Sequence, residues 1–171
     1  MSDQSVNAGE LELPVKRTDG DSLEERLTAN AYHNILPARY LRKDANGDSI
    51  ESQEDLFPRV AKNVALAEAV FEAERRDVDV TVTPDQLKPD HPRRDELAAE
   101  VFGKGVDADS DAETSLSVYN ANKFAYDTVV PELPEEIKAA VETKREEFEE
   151  LMKDLSFMPN SPTLMNAGDE L

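Results

Sequence analysis

The apolar pattern between residues 134 and 155 constrains the fold of this chain more than any other feature. Its members recur at every third or fourth position, on one helical face: Ile137, Val141, Lys144, Phe148, Leu151 and Leu155. Pro134 is tolerated at a first helical position, and Glu135 and Glu136 suit the positive end of the helix dipole. A helix of this length has to bury its stripe against other elements, so the pattern predicts a mainly α fold.

The first periodic stretch of the sequence, residues 22–37, predicts another helix. Ser22 and Glu25 have the spacing of a capping box, in which each side chain bonds the other residue's backbone amide. Pro37 is expected to close this helix, because proline breaks a helix interior. Its apolar face is formed by Leu23, Leu27 and Ile35.

A turn and a further helix follow. Asn46-Gly47 is a strong turn signal, because both residues tolerate positive φ, and it predicts a small β-hairpin at residues 43–50. From Asp55 to about Arg75 the spacing is helical again, and Pro58 is harmless in a first turn. The predicted stripe of this helix is Leu56, Val60, Val64, Ala67 and Phe71.

The middle of the chain mixes short elements. Alternating valines at 78, 80 and 82 predict a short strand, a helix is expected at residues 94–102, and the acidic run at 107–113 is expected to be a solvated loop. A short helix with aromatic anchors follows, on Tyr119, Phe124, Tyr126 and Val129. The resulting division is a disordered acidic tail (1–21), a helical region with the hairpin (22–75), an acidic proline-punctuated insert (76–117), packing helices (118–156) and a closing segment (157–171).

The charge of the chain excludes several classes of function. Its 171 residues carry 19 Lys and Arg against 38 Asp and Glu, a formal charge of −19. Nucleic acids and anionic membranes require a basic face, so neither is a predicted partner. The acids are spread over periodic segments, which favours a folded protein of a salt-rich cytoplasm over a disordered acidic tail. No signal peptide or membrane-spanning run is visible, so the predicted location is cytoplasmic.

The candidate metal ligands do not form a convincing set. Asp44, Asn46, Asp48 and Asp55 have the spacing of EF-hand ligands, but Ser49 stands where that loop needs glycine, and a plain hairpin turn is the preferred interpretation. The two histidines, at 33 and 91, are far apart, and His91 is expected to be exposed. With no cysteine in the sequence, disulfides and thiolate sites are excluded and no metal is predicted.

The closing segment, residues 157–168, carries the strongest functional signal. Two prolines bracket small polar residues, as in a rigid irregular loop, and such loops carry function more often than core elements do. Ser161 and Thr163 offer hydroxyls, Asn160 and Asn166 offer amides, and Gly168 allows close backbone approach. This set suits an oxygen-rich ligand such as a phosphate or a sugar. A proline-rich loop that merely follows a helix is an equally good interpretation of the residues alone.

The amino-acid sequence of this segment resembles that of a known family. Pro159-Asn160-Ser161-Pro162-Thr163-Leu164-Met165-Asn166-Ala167-Gly168 is similar to the stretch that precedes the first active-site cysteine in catalytic (large) subunits of ribonucleotide reductases. The likeness is greatest to the adenosylcobalamin-dependent (class II) enzymes. Residues 34–65 and the long helix near Phe148 are similar to the N-terminal helical portion of the same family, and the acidity suggests a haloarchaeal-like member.

The resemblance implies a fold, a reaction and partners. The chain would be an N-terminal helical domain that ends at the entry to a ten-stranded α/β barrel, which is itself absent. In that family a cysteine thiyl radical, generated with adenosylcobalamin, begins the reduction of ribonucleotides to deoxyribonucleotides. Implied partners are a ribonucleoside diphosphate, the remainder of the polypeptide, a second copy in a homodimer and a thioredoxin-like reductant. The implied substrate-binding residues are Ser161, Thr163, Asn166 and Gly168.

The sequence departs from the family in one decisive respect. It contains no cysteine, so no catalytic residue is assigned here and the chain is expected to be an inactive piece of a larger reductase. Two alternatives remain at this point: a stand-alone acidic helical interaction module, and a fragment of a class I large subunit, whose radical comes from a separate protein.

Overall fold

The computed structural model describes residues 20–44 and 46–168, so the predicted tail at 1–21 lies almost wholly outside the described part. The α-helices are α1 (Leu23–Arg26), α2 (Leu36–Arg39), α3 (Leu56–Ala65), α4 (Ala67–Arg76), α5 (Arg94–Phe102), α6 (Tyr126–Val129), α7 (Glu135–Lys153) and α8 (Ser161–Asn166). Two short strands, β1 (Thr81–Val82) and β2 (Thr114–Ser115), pair antiparallel. Single 3-10 turns occupy Gln53–Asp55, Pro84–Gln86, Ala121–Lys123 and Val130–Glu132. This is the mainly α fold that the sequence predicts.

The first helix begins as predicted but does not end as predicted. Ser22 and Glu25 form the reciprocal capping box at the start of α1. The predicted single helix is interrupted, because α1 ends at Arg26 and the backbone of Leu27 is extended. A π-helical segment, Ala31–Ile35, follows and runs directly into α2, where Pro37 lies inside the helix rather than after it. Ile35, which was predicted for the apolar face, is 40% exposed. Proline lacks an amide and its ring crowds the carbonyl four residues earlier. The wider π turn just before Pro37 relieves that conflict, so the helix continues to Arg39.

The predicted turn at Asn46-Gly47 is present, with a φ of +89° at Gly47. Lys43 and Ser49 form an isolated antiparallel bridge, and the Asp44 amide donates to the Asp48 carbonyl at 2.9 Å. The extended two-stranded sheet lies elsewhere, between β1 and β2, with Val82 opposite Thr114. The valine alternation therefore marks a real strand, whereas the hairpin is closed by a single bridge.

The helical stretch after Asp55 is two helices, and its buried face differs from the predicted stripe. Leu66 interrupts the stretch between α3 and α4, and the buried face shifts in phase there. Val64 and Phe71 are consequently about two-fifths exposed, at 42% and 43%. The face that is buried consists of Leu56, Phe57, Val60, Ala61, Ala65, Leu66, Ala69, Val70 and Ala73.

The segment between α4 and α7 folds back over α4 with little regular structure. α5 ends at Gly103, as predicted, where φ is +117°. Of the predicted aromatic anchors, Phe124 is buried and Tyr126 is half-buried, but Tyr119 is 93% exposed. The prediction for Tyr119 was wrong because the helix begins only at Tyr126, so residue 119 lies in a turn outside its periodicity.

The long helix α7 begins after Pro134, which occupies the capping position. Ile137 and Val141 are buried as predicted, but Leu151 is 45% exposed and Met152 takes its place in the core. The 3.6-residue period drifts over five turns, so a stripe extrapolated in strict steps moves off the buried face. α7 packs against both α3 and α4 and is the central element of the fold.

The buried side chains form two clusters that share this helix. The first core comprises Ala65, Leu66, Ala69, Val70, Ala73, Val80, Val82, Leu87, Ala98, Leu116, Ala121, Phe124, Val129, Val130, Leu133, Ile137 and Val141. The second core comprises Leu23, Leu36, Leu41, Leu56, Phe57, Val60, Ala61, Met152, Leu155, Leu164 and Ala167. Phe148 packs partly against both, so the two cores meet at the middle of α7.

Candidate functional site

The closing segment is more regular than its sequence suggests. An irregular backbone was predicted throughout residues 157–168, but residues 161–166 form α8. Asn160 caps this helix: its side-chain oxygen accepts the Thr163 amide at 3.1 Å. Pro162 lies in the first turn, where an amide has no helical partner and proline is accepted. The prolines that suggested a loop are therefore compatible with a helix start.

The two predicted hydroxyls lie in the first turn of α8 and already have partners. The Ser161 hydroxyl is exposed and lies 2.9 Å from the Tyr40 hydroxyl, at the end of α2. The Thr163 hydroxyl donates to the Asn160 side-chain oxygen at 2.8 Å. The structure thus brings Ser161 and Thr163 together and ties them to the N-terminal region.

The other two predicted residues lie at the opposite end of the helix. Asn166 is the last residue of α8 and its side chain is exposed. Gly168 follows with φ at +76°, a conformation that side-chain-bearing residues rarely adopt. A Cβ atom there would lie 3.4 Å from Nη2 of Arg42 and 3.5 Å from Cγ of Arg59. The backbone conformation therefore favours glycine at position 168, whereas a Cβ atom there would make only ordinary van der Waals contacts.

Arg59 of α3 holds this end of the segment, and sequence reasoning missed it. Its guanidinium pairs with Glu51 through Nε at 2.7 Å and Nη2 at 3.2 Å. The two side chains are only 11% and 7% exposed. The remaining N–H groups of Arg59 donate to the backbone carbonyls of Ala167 at 2.6 Å, Tyr40 at 3.1 Å and Leu164 at 3.2 Å. One side chain thus joins α2, α3, α8 and Glu51.

Asn160 was predicted as an amide of the closing segment, but its role as a helix cap was not, although it left a local signal. Asn160, followed by proline and threonine, has the composition of a helix N-terminus and could have been recognised. Arg59 has no such signal, because it is a charged residue within an amphipathic helix and its two acceptors in the closing segment lie more than a hundred residues away. Glu51 likewise reads as an ordinary surface acid in the sequence.

Beside Gly168 and Arg59 lies an open cleft of about 740 Å³. Its walls carry both charges, and Lys62 is paired there with Asp127 at 2.8 Å. His91, which was expected to be exposed, is half-buried in this wall, and its Nδ1 accepts the Arg93 amide at 3.1 Å. The charged residues of the cleft are Arg42, Lys43, Arg59, Lys62, Lys88, Glu51, Asp55, Asp90 and Asp127.

The acidic turn at residues 44–48 is a structural loop. The Asp44 carboxylate accepts the amides of Asp48 and Asn46, each at 2.9 Å. These bonds, that from Asp48 first, hold the pKa of Asp44 below its usual value. His33 pairs instead with Glu24, at 2.9 Å. Within residues 20–44 and 46–168, no three His, Asp or Glu side chains converge as metal ligands would.

Comparison with known proteins identifies the family. A family model described as "Ribonucleotide reductase, all-alpha domain" matches residues 25–171. The chain belongs to the ribonucleotide reductase family. The vitamin B12-dependent ribonucleoside-diphosphate reductase of Thermoplasma acidophilum is 32% identical over 153 residues, covering 85% of this chain and 18% of that protein. This reductase chain therefore spans about a fifth of the length of that relative. No solved structure matches it significantly.

The family match agrees with the fold and decides between the alternatives. The described elements are those of an all-α domain of a reductase, with one small antiparallel sheet. The alternative of a stand-alone acidic interaction module is not favoured, because the family match covers residues 25–171 of this chain. None of the helices in the described part of the chain is long and apolar enough to cross a membrane.

Proposed function

We propose that this chain is the N-terminal helical part of an adenosylcobalamin-dependent (class II) ribonucleotide reductase. The whole enzyme would reduce ribonucleoside diphosphates to deoxyribonucleotides for DNA synthesis. The observation that carries the proposal is the similarity to a vitamin B12-dependent ribonucleoside-diphosphate reductase over 85% of the chain. It favours class II over the class I alternative. The catalytic cysteines would lie elsewhere in the polypeptide, since this sequence has none.

We propose that the direct contribution of this part is substrate binding by the closing segment. Ser161 and Thr163 would contact the diphosphate group, and Asn166 and Gly168 would make secondary contacts. The exposure of the Ser161 hydroxyl and the position of Thr163 in the same first turn of α8 support this assignment. Gly168 fits a role in close approach, because its backbone conformation excludes side chains.

The described residues do not themselves fit a cobalamin site. Large cofactors bind in mostly apolar cavities with a few polar groups, whereas the cleft beside Gly168 is walled by charged side chains of both signs. We therefore propose that adenosylcobalamin binds to other parts of the polypeptide, and no chemical step is assigned to it here.

We further propose the division of the chain and its setting. Residues 22–75 and 118–156 would form the helical body, 76–117 an acidic insert, and 157–171 the entry to the barrel, after a tail at 1–21. The charge of −19 supports a salt-rich, haloarchaeal-like cytoplasm, where dissolved ions screen self-repulsion. The remainder of the polypeptide, a second copy in a homodimer and a thioredoxin-like reductant are the proposed partners.

Kinetics of the reductase polypeptide that carries these residues tests the assignment. In Ser161→Ala and Thr163→Ala, loss of a hydrogen bond to a charged substrate group is expected to raise KM for the ribonucleoside diphosphate about tenfold. Thr163→Ser keeps the hydroxyl and is expected to retain most of the affinity. Ser156→Ala, at an exposed serine just before the segment, is the matched control. Unchanged KM values in both alanine variants would refute the assignment.

A further inference from the structure

We propose that Arg59, oriented by Glu51, is a positioning residue that fixes the substrate-binding segment in place. The inference rests on the proposed function, because the segment that Arg59 holds is the one assigned to the substrate. Arg59 itself lies on α3 and would act through the backbone of α8, without touching the substrate. Its role would be to set where Ser161, Thr163 and Gly168 stand.

Five hydrogen bonds hold the Arg59 guanidinium: one from Nε, one from Nη1 and three from Nη2. Glu51 takes Nε and one bond from Nη2, as a bidentate carboxylate partner does. The Arg42 amide also donates to Glu51, at 3.0 Å, through Oε2, the oxygen that accepts from Nη2 of Arg59. With the acid fixed at both oxygens, the planar guanidinium has one orientation, and its outer N–H groups face α8 and the end of α2.

The outer N–H groups of Arg59 bind backbone carbonyls at the C-terminal end of α8. The last carbonyls of a helix have no partner within the helix, and α8 ends at Ala167, which leaves the helical conformation and is followed by Gly168 at positive φ. Arg59 supplies donors to the carbonyls of Leu164 and Ala167. Because the acceptors are backbone atoms, the contact fixes the axial position and rotation of the helix. Apolar packing of Leu164 and Ala167 alone would leave both adjustable.

Both ends of the closing segment are tied to Tyr40 at the end of α2, one directly and the other through Arg59. The Tyr40 hydroxyl meets Ser161 at the start of α8, while the Tyr40 carbonyl accepts from Arg59. Gly168 then passes close to the stem of Arg59, where a Cβ atom would lie 3.5 Å from Cγ. The segment is therefore held at its first residue, at its last turn and just beyond.

The energetics of the Arg59–Glu51 ion pair favour a geometric role. A nearly buried ion pair loses hydration that its attraction only partly returns, so such a pair is a weak source of stability. Its consequence here is geometric, because a bidentate pair allows few alternative arrangements. Lysine could keep the charge at position 59, but it offers a flexible point charge in place of a planar fork.

The test is Arg59→Lys in the reductase polypeptide, with Arg76→Lys as the matched control. Arg76 is an exposed arginine that also pairs with glutamates. Loss of one or two hydrogen bonds to backbone carbonyls is expected to accelerate amide exchange in residues 164–168 about tenfold. KM for the ribonucleoside diphosphate is expected to rise about tenfold with kcat changed less than about twofold. Arg76→Lys is expected to leave exchange and KM unchanged.

Each outcome decides the question. Normal exchange in residues 164–168 of Arg59→Lys would overturn the inference, and so would a fall in kcat with unchanged KM, which marks a merely structural role. Faster exchange with unchanged KM, while Ser161→Ala still raises KM, overturns the positioning role and leaves the proposed function standing. If none of Ser161→Ala, Thr163→Ala and Arg59→Lys alters KM, both proposals fail. Faster exchange together with a higher KM, and an unaffected control, supports the inference.

Discussion

The two cores are assembled from different parts of the chain. The first core draws all its buried members from one continuous stretch, residues 65–141. The second joins residues 23–61 to residues 152–167, two stretches separated by the whole of the first core. The Arg59–Glu51 pair lies where these distant stretches meet. The difference teaches that apolar burial suffices where neighbours in sequence pack together, whereas a polar junction defines the geometry where remote segments have to be aligned.

Removing one large side chain from each core is the strongest way to break this comparison. Phe57 and Phe124 are 2% and 1% exposed, so Phe57→Ala and Phe124→Ala should each lower the free energy of unfolding by about 3–5 kcal/mol. Because α7 belongs to both cores, each variant is expected to unfold in a single transition. Urea titration at constant high salt, followed by circular dichroism, measures both quantities.

The matched control for this pair is Phe71→Ala. Phe71 is 43% exposed, and its removal should change the free energy of unfolding by only about 0.5 kcal/mol. Two separated transitions in Phe124→Ala, with the later one unchanged from the parent protein, would show that the cores are independent and would contradict the shared role of α7.

A double-mutant cycle on the polar junction sharpens the comparison. Arg59→Met or Glu51→Leu alone leaves a nearly buried charge unpaired and should lower the free energy of unfolding by about 3 kcal/mol. The double variant should be more stable than either single one, because neither charge remains. The exposed pair Arg76–Glu136 provides the reference cycle, with a coupling of about 0.2–1 kcal/mol expected. Equal coupling in the two cycles would disprove a special role for the junction.

Acidification should have the smallest effect on stability of these tests. It should act on the part of the molecule that contains the second core. Hydrogen bonds lower the pKa of Asp44, chiefly that from the Asp48 amide, and of Asp55, chiefly that from the Ser52 hydroxyl. A lowered pKa gives stability that is complete above the ordinary carboxyl pKa of about 4 and is lost as the pH falls through the lowered value. Asp44→Asn should therefore differ from the parent protein at pH 6 and converge with it at lower pH.

Thermal unfolding at constant high salt between pH 6 and pH 2 measures this convergence. Asp48→Asn is the control in the same loop, because the amides of the turn are held by the Asp44 carboxylate. A difference between Asp44→Asn and the parent protein that stays constant over the whole range would contradict the assignment.

Local chemistry made much of the fold predictable. The Ser22–Glu25 capping box, the turn at Gly47 and the end of α5 at Gly103 each depend on residues within a few positions of one another. Such signals operate before tertiary structure forms. The existence of α7 is equally local, because its periodicity repeats over five turns.

The remaining features depend on interactions that a linear pattern does not contain. Val64 and Phe71 are exposed because the interruption at Leu66 changes the phase of the helix, and Leu151 is exposed because the period drifts. In the candidate site, the hydroxyls of Ser161 and Thr163 were recognisable by residue type. The residue that holds their segment, Arg59, was not, since its acceptors are backbone atoms far along the chain.

The shared helix α7 has a consequence for how ligand binding could be observed. Its 19 residues extend about 28 Å at 1.5 Å per residue, and it contributes Ile137 and Val141 to the first core and Met152 to the second. By thermodynamic linkage, a ligand that tightens α8 also raises the free energy needed to release α7. Slower amide exchange in α4, which packs against α7, would then report an occupied substrate segment.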